Sequence, residues 1–315
     1  MSRPALARYW SETEHDGRGY LRPSTGEQVP GVTSITGMVN KDLAQWGSDM
    51  AVKWIAEHWY EWNPGQRSEE SAFNGARYRW KEYRDERGQI GSNVHDHIEQ
   101  TILGKQPVLD FLTPEEQAMF RQWEDFQFFT GAEFTSTEEQ VWGSGYGGTL
   151  DARATMYSQK LGRKATFILD WKSSRKAYPE YHMQISALLK AGFTFHQVDP
   201  PAAGDKIQAA HNGTTWYQHS LGPAWLATHS ENNRKVETWW VEVETGSAQT
   251  GAVVHLTPDS WHVYELEDEE LHFKRFNAYK DAWWAERELK TVLAARGQKL
   301  DRPLDWVDPK WKGRQ

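Results

Sequence analysis

The chain has 315 residues, with 36 Lys and Arg against 44 Asp and Glu, a formal net charge of −8, no Cys and 18 Trp. The missing Cys exclude disulfides, thiolate zinc sites, Cys nucleophiles and Cys-held iron–sulfur clusters, while 38% hydrophobic residues leave enough apolar surface for a sizeable core. No run approaches the roughly 18 apolar residues of a membrane helix, and MSRPALARYW lacks the apolar segment of a signal peptide, so a soluble cytoplasmic protein without membrane partners is expected. The acidic balance argues against general coating of nucleic acid but permits a local basic groove.

In chain order, residues 15–36 alternate Gly and Pro with short β-prone pieces and predict a hairpin. From Lys41 to about Trp62, the residues Leu43, Trp46, Met50, Trp54 and Ile55 recur at helical steps. A second helix is expected over 69–103, bent at Gly88 or Gly91. A third follows Thr113, whose hydroxyl suits an N-cap, with Pro114 at the first helical position and Glu116 completing a capping box. The period then changes, and 132–142, 147–156 and 164–172 read as three consecutive strands joined by turn-rich pieces. ATFILD in the third is an apolar run ending in a carboxylate, which suggests a buried central strand.

A helix at about 179–193 comes next; 196–250 has no clear period; 251–257 and 261–266 predict a hairpin, and a long helix covers about 268–295. The order α-β-β-β-α-β predicts an α/β fold with a mixed central sheet flanked by helices and N-terminal helical additions. The expected organisation is a hairpin and helical region at 1–87, a core at 88–295 with an insertion at about 196–250, and a tail at 296–315.

The chemistry concentrates in 148–184. Asp151 and Asp170 fall on adjacent predicted strands, and Lys172 follows two residues later on the same side of its strand. Two close carboxylates repel one another, and a hard divalent cation relieves this with its preferred oxygen ligands. A neighbouring Lys can orient or deprotonate a water, or stabilise charge developing on a phosphate. Taken alone, Asp170 and Lys172 fit a strand-end ion pair equally well, and Glu288-Leu289-Lys290 and Asp308-Pro309-Lys310 repeat the triplet without a strand or an upstream Asp. Upstream, His95 and Glu99 share a helix face within GSNVHDHIEQ, and His95 can present a ring nitrogen to a metal.

His95 in GSNVH, the GTLD of Asp151, the LDWKS of Asp170 and Lys172, and Gln184 on the next helix occur in the order seen in RecB-like nucleases. The chain is similar in this to the PD-(D/E)XK superfamily, and VPGVTSITGMVNKDLAQWGSDMA resembles the opening of phage-encoded RecB-like exonucleases, relatives of the CRISPR-associated RecB-like nucleases. The resemblance implies a restriction-endonuclease-like core of αβββαβ order. It implies metal ligation by His95, Asp151, Asp170 and the backbone carbonyl of Trp171, and Lys172 as the catalytic lysine. Glu139 resembles an acidic residue often found on the preceding strand, with Glu138 as the competing register, and Gln184 would lie over the site.

By the same resemblance the cofactor is Mg²⁺ or Mn²⁺ without an iron–sulfur cluster. The activity is hydrolysis of DNA phosphodiester bonds, as an exonuclease, in phage DNA recombination, repair or processing. A phage single-strand annealing protein, recombinase or helicase is an expected partner, a homo-oligomer an expected assembly, and the host bacterial cytoplasm the expected setting. A structure- or sequence-specific endonuclease and a non-catalytic DNA-binding protein are the alternatives. Leu188 stands where the family often has Tyr, with Tyr181 as a possible substitute. Most Trp are expected in the core. Arg153, Arg175 and Lys176 near the site, and Trp216 and Tyr217 in the insertion, are the candidate DNA contacts.

Overall fold

A computed structural model describes residues 19–22, 27–39, 44–58, 69–174, 176–199, 201, 206–210, 216–219, 224–231, 234–246 and 248–295. The chain opens with β1 (Gly19–Arg22) and β2 (Glu27–Pro30), an antiparallel hairpin, and a short α1 (Val32–Thr36). Helices α2 (Ala44–His58), α3 (Glu69–Ile102) and α4 (Pro114–Thr130) follow. Helix α3 runs uninterrupted through Gly88 and Gly91, and so through the expected boundary at 87/88. Helix α4 starts as its sequence dictates: Thr113 Oγ1 accepts from the Glu116 N–H, the Glu116 carboxylate accepts from the Thr113 N–H, and Pro114 occupies the first turn. Gly131 ends it in the left-handed conformation at φ 59°.

The three expected strands are β3 (Glu133–Gly143), β4 (Tyr146–Ser158) and β5 (Arg163–Lys172), followed by α5 (Pro179–Leu189). The unreadable stretch contains five strands, β6 (Phe193–Val198), β7 (Lys206–Ala210), β8 (Trp216–His219), β9 (Ala224–Glu231) and β10 (Arg234–Glu244). The hairpin β11 (Thr250–Leu256) and β12 (Trp261–Glu265) and helix α6 (Glu269–Ala295) complete the described chain. Residues 296–315, the expected tail, lie outside the described residues.

Ten strands form one sheet in the order β12-β11-β5-β4-β3-β6-β10-β9-β8-β7. The sheet is mixed because β11 runs parallel to β5, with Val253 opposite Asp170, while the other pairings are antiparallel. The insertion therefore extends the sheet beyond β3, which it joins through Val141–Thr194 and Trp142–Phe193.

Both faces around β4, β5 and β11 are covered. On one, Val94 and Ile98 of α3 and Met119, Phe120, Trp123 and Phe126 of α4 pack on Ala152, Phe167, Leu169, Trp171 and Val254. Trp123 is fully buried, stacked on Phe120 at 5.6 Å and on Phe134 at 5.9 Å, so truncating such a ring would cost about 3–5 kcal/mol. On the other, α1, α5 and α6 supply Val32, Ile35, Met183, Ile185, Leu188 and Phe276 against Val141, Leu150, Ile168 and Val253. A side chain at Gly251 would place Cβ 2.3 Å from Ile185 Cγ2, so glycine there lets α5 settle onto β11. These layers clamp β5 from both sides and fix the end of the strand that carries Asp170 and Lys172.

Candidate active site

The end of β5 opens into a cleft of about 380 Å³ whose walls come from α3, α5, β4 and the N-terminal hairpin. Asp170, Lys172, Asp151, His95 and Gln184 all line it. Ile168 packs on the α5 side of the sheet, so period-2 alternation turns Asp170 to that side as well. There Gln184 Nε2 donates to Asp170 Oδ1 at 2.8 Å. Asp170 is 1% exposed, and its buried Oδ2 meets the Lys172 ammonium as an ion pair rather than as a well-angled hydrogen bond. Burial, with the negative Asp151 close by, pushes the Asp170 carboxyl up to about 6 against the pull of Lys172.

Asp151 reaches the site through a break in strand parity. Leu150 belongs to the core under α5 and Ala152 to the core under α3, although they stand two positions apart, a spacing that a regular strand puts on one face. The switch falls at Asp151, whose Oδ2 accepts the Trp171 N–H at 2.7 Å and so ties β4 to β5 beyond the last ladder pair, Ala152–Leu169. The pairings Thr137–Ala152 and Glu139–Leu150 place Glu138 opposite Asp151. Glu138 has φ 51°, a sparsely occupied region for a residue with Cβ, and it lines the cleft. Both strands are thus irregular at the same level, which is how a sheet re-aims side chains next to a site.

His95 arrives from α3. That helix approaches β5 closely because position 91 is glycine, where a Cβ would lie 2.8 Å from Ser173 Oγ. His95 Nδ1 stands 3.6 Å from Asp151 Oδ2. Burial and the Lys172 charge lower its pKa to about 4, although Asp170 and the backbone of Trp171 favour the cation. The imidazole is therefore neutral near pH 7. Lys172 goes the other way: burial opposes its charge, but Asp170 and Asp151 outweigh this and raise its pKa, so it remains an ammonium. The Tyr181 ring faces it at 5.3 Å, and the Tyr181 hydroxyl donates to Ser174 Oγ at 3.0 Å.

No protein-family model matches the chain, and no curated protein matches it in sequence. The cleft has to be read from its own chemistry. Of the residues expected to form the site, His95, Asp151, Asp170, Lys172 and Gln184 come together, and Trp171 contributes its backbone beside them.

Two expectations are corrected. Glu139 does not face the cleft, and Arg153 is 8% exposed rather than offered to DNA. They pair with each other: Arg153 Nη2 lies 3.1 Å from Glu139 Oε1 and Nε 3.3 Å from Oε2, while Nη1 donates to the Gly246 carbonyl at 2.9 Å. Ser136 Oγ adds a bond to Glu139 at 2.8 Å. The parity break turns Glu138, not Glu139, inward. Lys176 is exposed, with its ammonium 5.4 Å from the Tyr178 ring centroid. Arg175 lies outside the described residues, as do the side chains of Trp216 and Tyr217, whose backbones form the start of β8.

Arg87, Asp96 and Tyr20 also line the cleft and were not anticipated; Asp96 is there rather than Glu99. The spacing of four from Arg87 through Gly91 to His95 was the available signal. Tyr20 comes from the hairpin, its hydroxyl 3.1 Å from Thr149 Oγ1.

The donor set fits a hard divalent cation. Two carboxylates are the oxygen donors such an ion takes, with a neutral imidazole beside them, and Asp170 Oδ2 is a buried acceptor whose pairing with Lys172 is not a well-angled hydrogen bond. Among the described residues no three His, Asp or Glu side chains converge into a ready-made metal cage.

Proposed function

We propose that the protein is a Mg²⁺- or Mn²⁺-dependent deoxyribonuclease with a PD-(D/E)XK-type core, acting as an exonuclease on DNA phosphodiester bonds. The observation that carries this is the convergence of Asp151, Asp170 and Lys172 at the end of a buried central strand, with Gln184 bonded to Asp170 and His95 facing Asp151. An α/β fold with a mixed sheet flanked by helices is the setting such a site needs. The exonucleolytic form and a role in phage DNA recombination rest on the sequence resemblance.

Asp151, Asp170, the neutral His95 and the Trp171 carbonyl would hold the cation, which supplies positive charge for a phosphate and for the water that attacks it. Gln184 keeps the Asp170 carboxylate oriented toward the cleft. Lys172, held as an ammonium, stabilises negative charge building on the phosphate oxygens and can protonate the departing oxygen. Glu138 lines the same cleft and would be the carboxylate that takes a proton from the water. Tyr181 fixes the approach of Lys172 through its ring face.

The test is a time course on 5′- and 3′-labelled linear DNA, single- and double-stranded, with Mg²⁺ or Mn²⁺ and with chelator, alongside a closed circle. Metal-dependent loss of label from one end with circles intact supports the exonuclease. Cut circles indicate an endonuclease on the same site, and binding without cleavage under every metal overturns the nuclease reading.

A further inference from the structure

A second cleft of about 440 Å³ adjoins the first, between α3, the start of α4 and the β11–β12 turn. Arg87 and Ser173 line both. On α3 the residues Tyr83, Arg87, Gly91 and His95 recur at every fourth position, which puts them on one helix face running from the second cleft into the first. The second cleft is lined by Tyr83, whose ring also meets that of Trp46 at 6.2 Å, by Met119 and Pro258, and by the Glu115 carboxylate, whereas carboxylates dominate the first.

Arg87 is positioned at the junction. Its Nη2 donates to the Ser173 carbonyl at 3.2 Å, one residue beyond Lys172, and its Nη1 is ion-paired with Glu115. The guanidinium side chain is 23% exposed and Glu115 39%. These contacts use two of the five guanidinium donors, fix its plane, and leave Glu115 accessible for exchange against another oxyanion.

We infer that Arg87 seats the phosphate next to the one being cleaved, and that the second cleft receives the adjoining base of a single strand. The inference rests on the nuclease reading and names the substrate form for it. A planar base against Tyr83 and a phosphate on Arg87 reproduce the pairing of aromatic platform and cation by which proteins take single strands. A base can enter that cleft only when it has left its partner, so single-stranded DNA, or a frayed end, is the form that binds.

Binding of a fluorescent single-stranded oligonucleotide is measured with Ca²⁺ across a salt series, for the parent, Arg87→Ala, Arg87→Lys and Tyr83→Leu, with a blunt duplex for comparison. The parent prefers the single strand. Arg87→Ala weakens binding about tenfold and lowers the salt slope by about 0.7, the loss of one phosphate contact on a single strand. Arg87→Lys retains the slope while losing affinity, because it keeps the charge and loses the fork. Tyr83→Leu weakens binding about tenfold with the slope unchanged, since stacking carries no counterion.

An unchanged slope in Arg87→Ala, equal affinity of the parent for the duplex, or no binding by the parent overturns the inference. Cleavage with Mg²⁺ or Mn²⁺ is scored separately. A parent that cuts but shows no slope change keeps the nuclease reading and loses Arg87. A parent that binds as described without cutting does the reverse.

Discussion

Gln184→Leu isolates the bond that orients Asp170, the carboxylate proposed to bind the metal. The substitution keeps a similar volume and removes the donor that reaches Asp170 Oδ1 at 2.8 Å. Asp170 is 1% exposed, so no water replaces that donor easily. A hydrogen bond to a charged group contributes about 1.5–3 kcal/mol, and about 1.4 kcal/mol corresponds to a tenfold change in protonation. The Asp170 carboxyl, already pushed up to about 6, then rises to about 7–8. At pH 7 the ionised fraction falls from about nine-tenths to between about one-half and one-tenth, because protons compete with metal for the same oxygens. Mn²⁺ affinity, read by calorimetry on the metal-free chain, should drop about two- to tenfold at pH 7. The gap should narrow toward pH 8.5 as both proteins ionise. A deficit that stays constant with pH, or no deficit, would refute the assignment of Gln184 as the group that orients Asp170.

The parity break predicts that Glu138→Gln and Glu139→Gln diverge. Glu138→Gln should lower the cleavage rate about tenfold or more and cost less stability in urea unfolding than Glu139→Gln. Glu139→Gln breaks a pair whose side chains are only 13% and 10% exposed, and should cost about 3–5 kcal/mol of stability, read in the same urea experiment. The reverse pattern would return Glu139 to the site. His95→Gln tests the neutral imidazole. Because the folded pKa, about 4, lies below the free value of 6.5, folded protein binds fewer protons between them, so the His95 contribution is lost as pH falls. The metal-free parent should therefore gain about 3 kcal/mol relative to His95→Gln as pH rises from 4 to 6.5, measured by paired urea melts. Asp170 works in the opposite direction over the same range, since its raised pKa gives stability at low pH that is lost as pH rises toward 6. The difference between the two proteins cancels that contribution to first order.

The elements around the site were legible because each carries a local signal that the tertiary structure does not override. Thr113-Pro114-x-Glu116 specifies its own helix start, and ATFILD specifies a strand with both faces covered. Strands β6 to β10 were not legible. Strands β7 to β10 form an antiparallel meander at the far side of the sheet and β6 pairs with β10 at its inner edge, while Gly, Asn and Pro between these strands interrupt any period. Glu139 was expected from the resemblance, with Glu138 as the competing register, and nothing local in the sequence separates the two. Alternation assigns faces only while a strand is regular, and both strands break at the level of Glu138 and Asp151. Arg153, paired with Ile168 in the β4–β5 ladder, is engaged with Glu139 and the Gly246 carbonyl instead of the cleft, contacts that only the fold brings to it. Arg87 went unnoticed because a basic residue on an exposed helix face is ordinary, and only the fold brings β5 and α4 against it.

The central claim is that Lys172 and its two carboxylates hydrolyse DNA with a divalent metal. The most direct measurement compares the parent with Lys172→Ala on end-labelled linear DNA at saturating Mg²⁺ or Mn²⁺, after urea melts show both folded. The parent should release labelled nucleotides only with metal, and the variant at a rate at least about a hundredfold lower, the loss expected for a group stabilising charge on the phosphate. Equal cleavage by the two proteins would contradict it, and so would a parent that leaves the DNA intact under every metal.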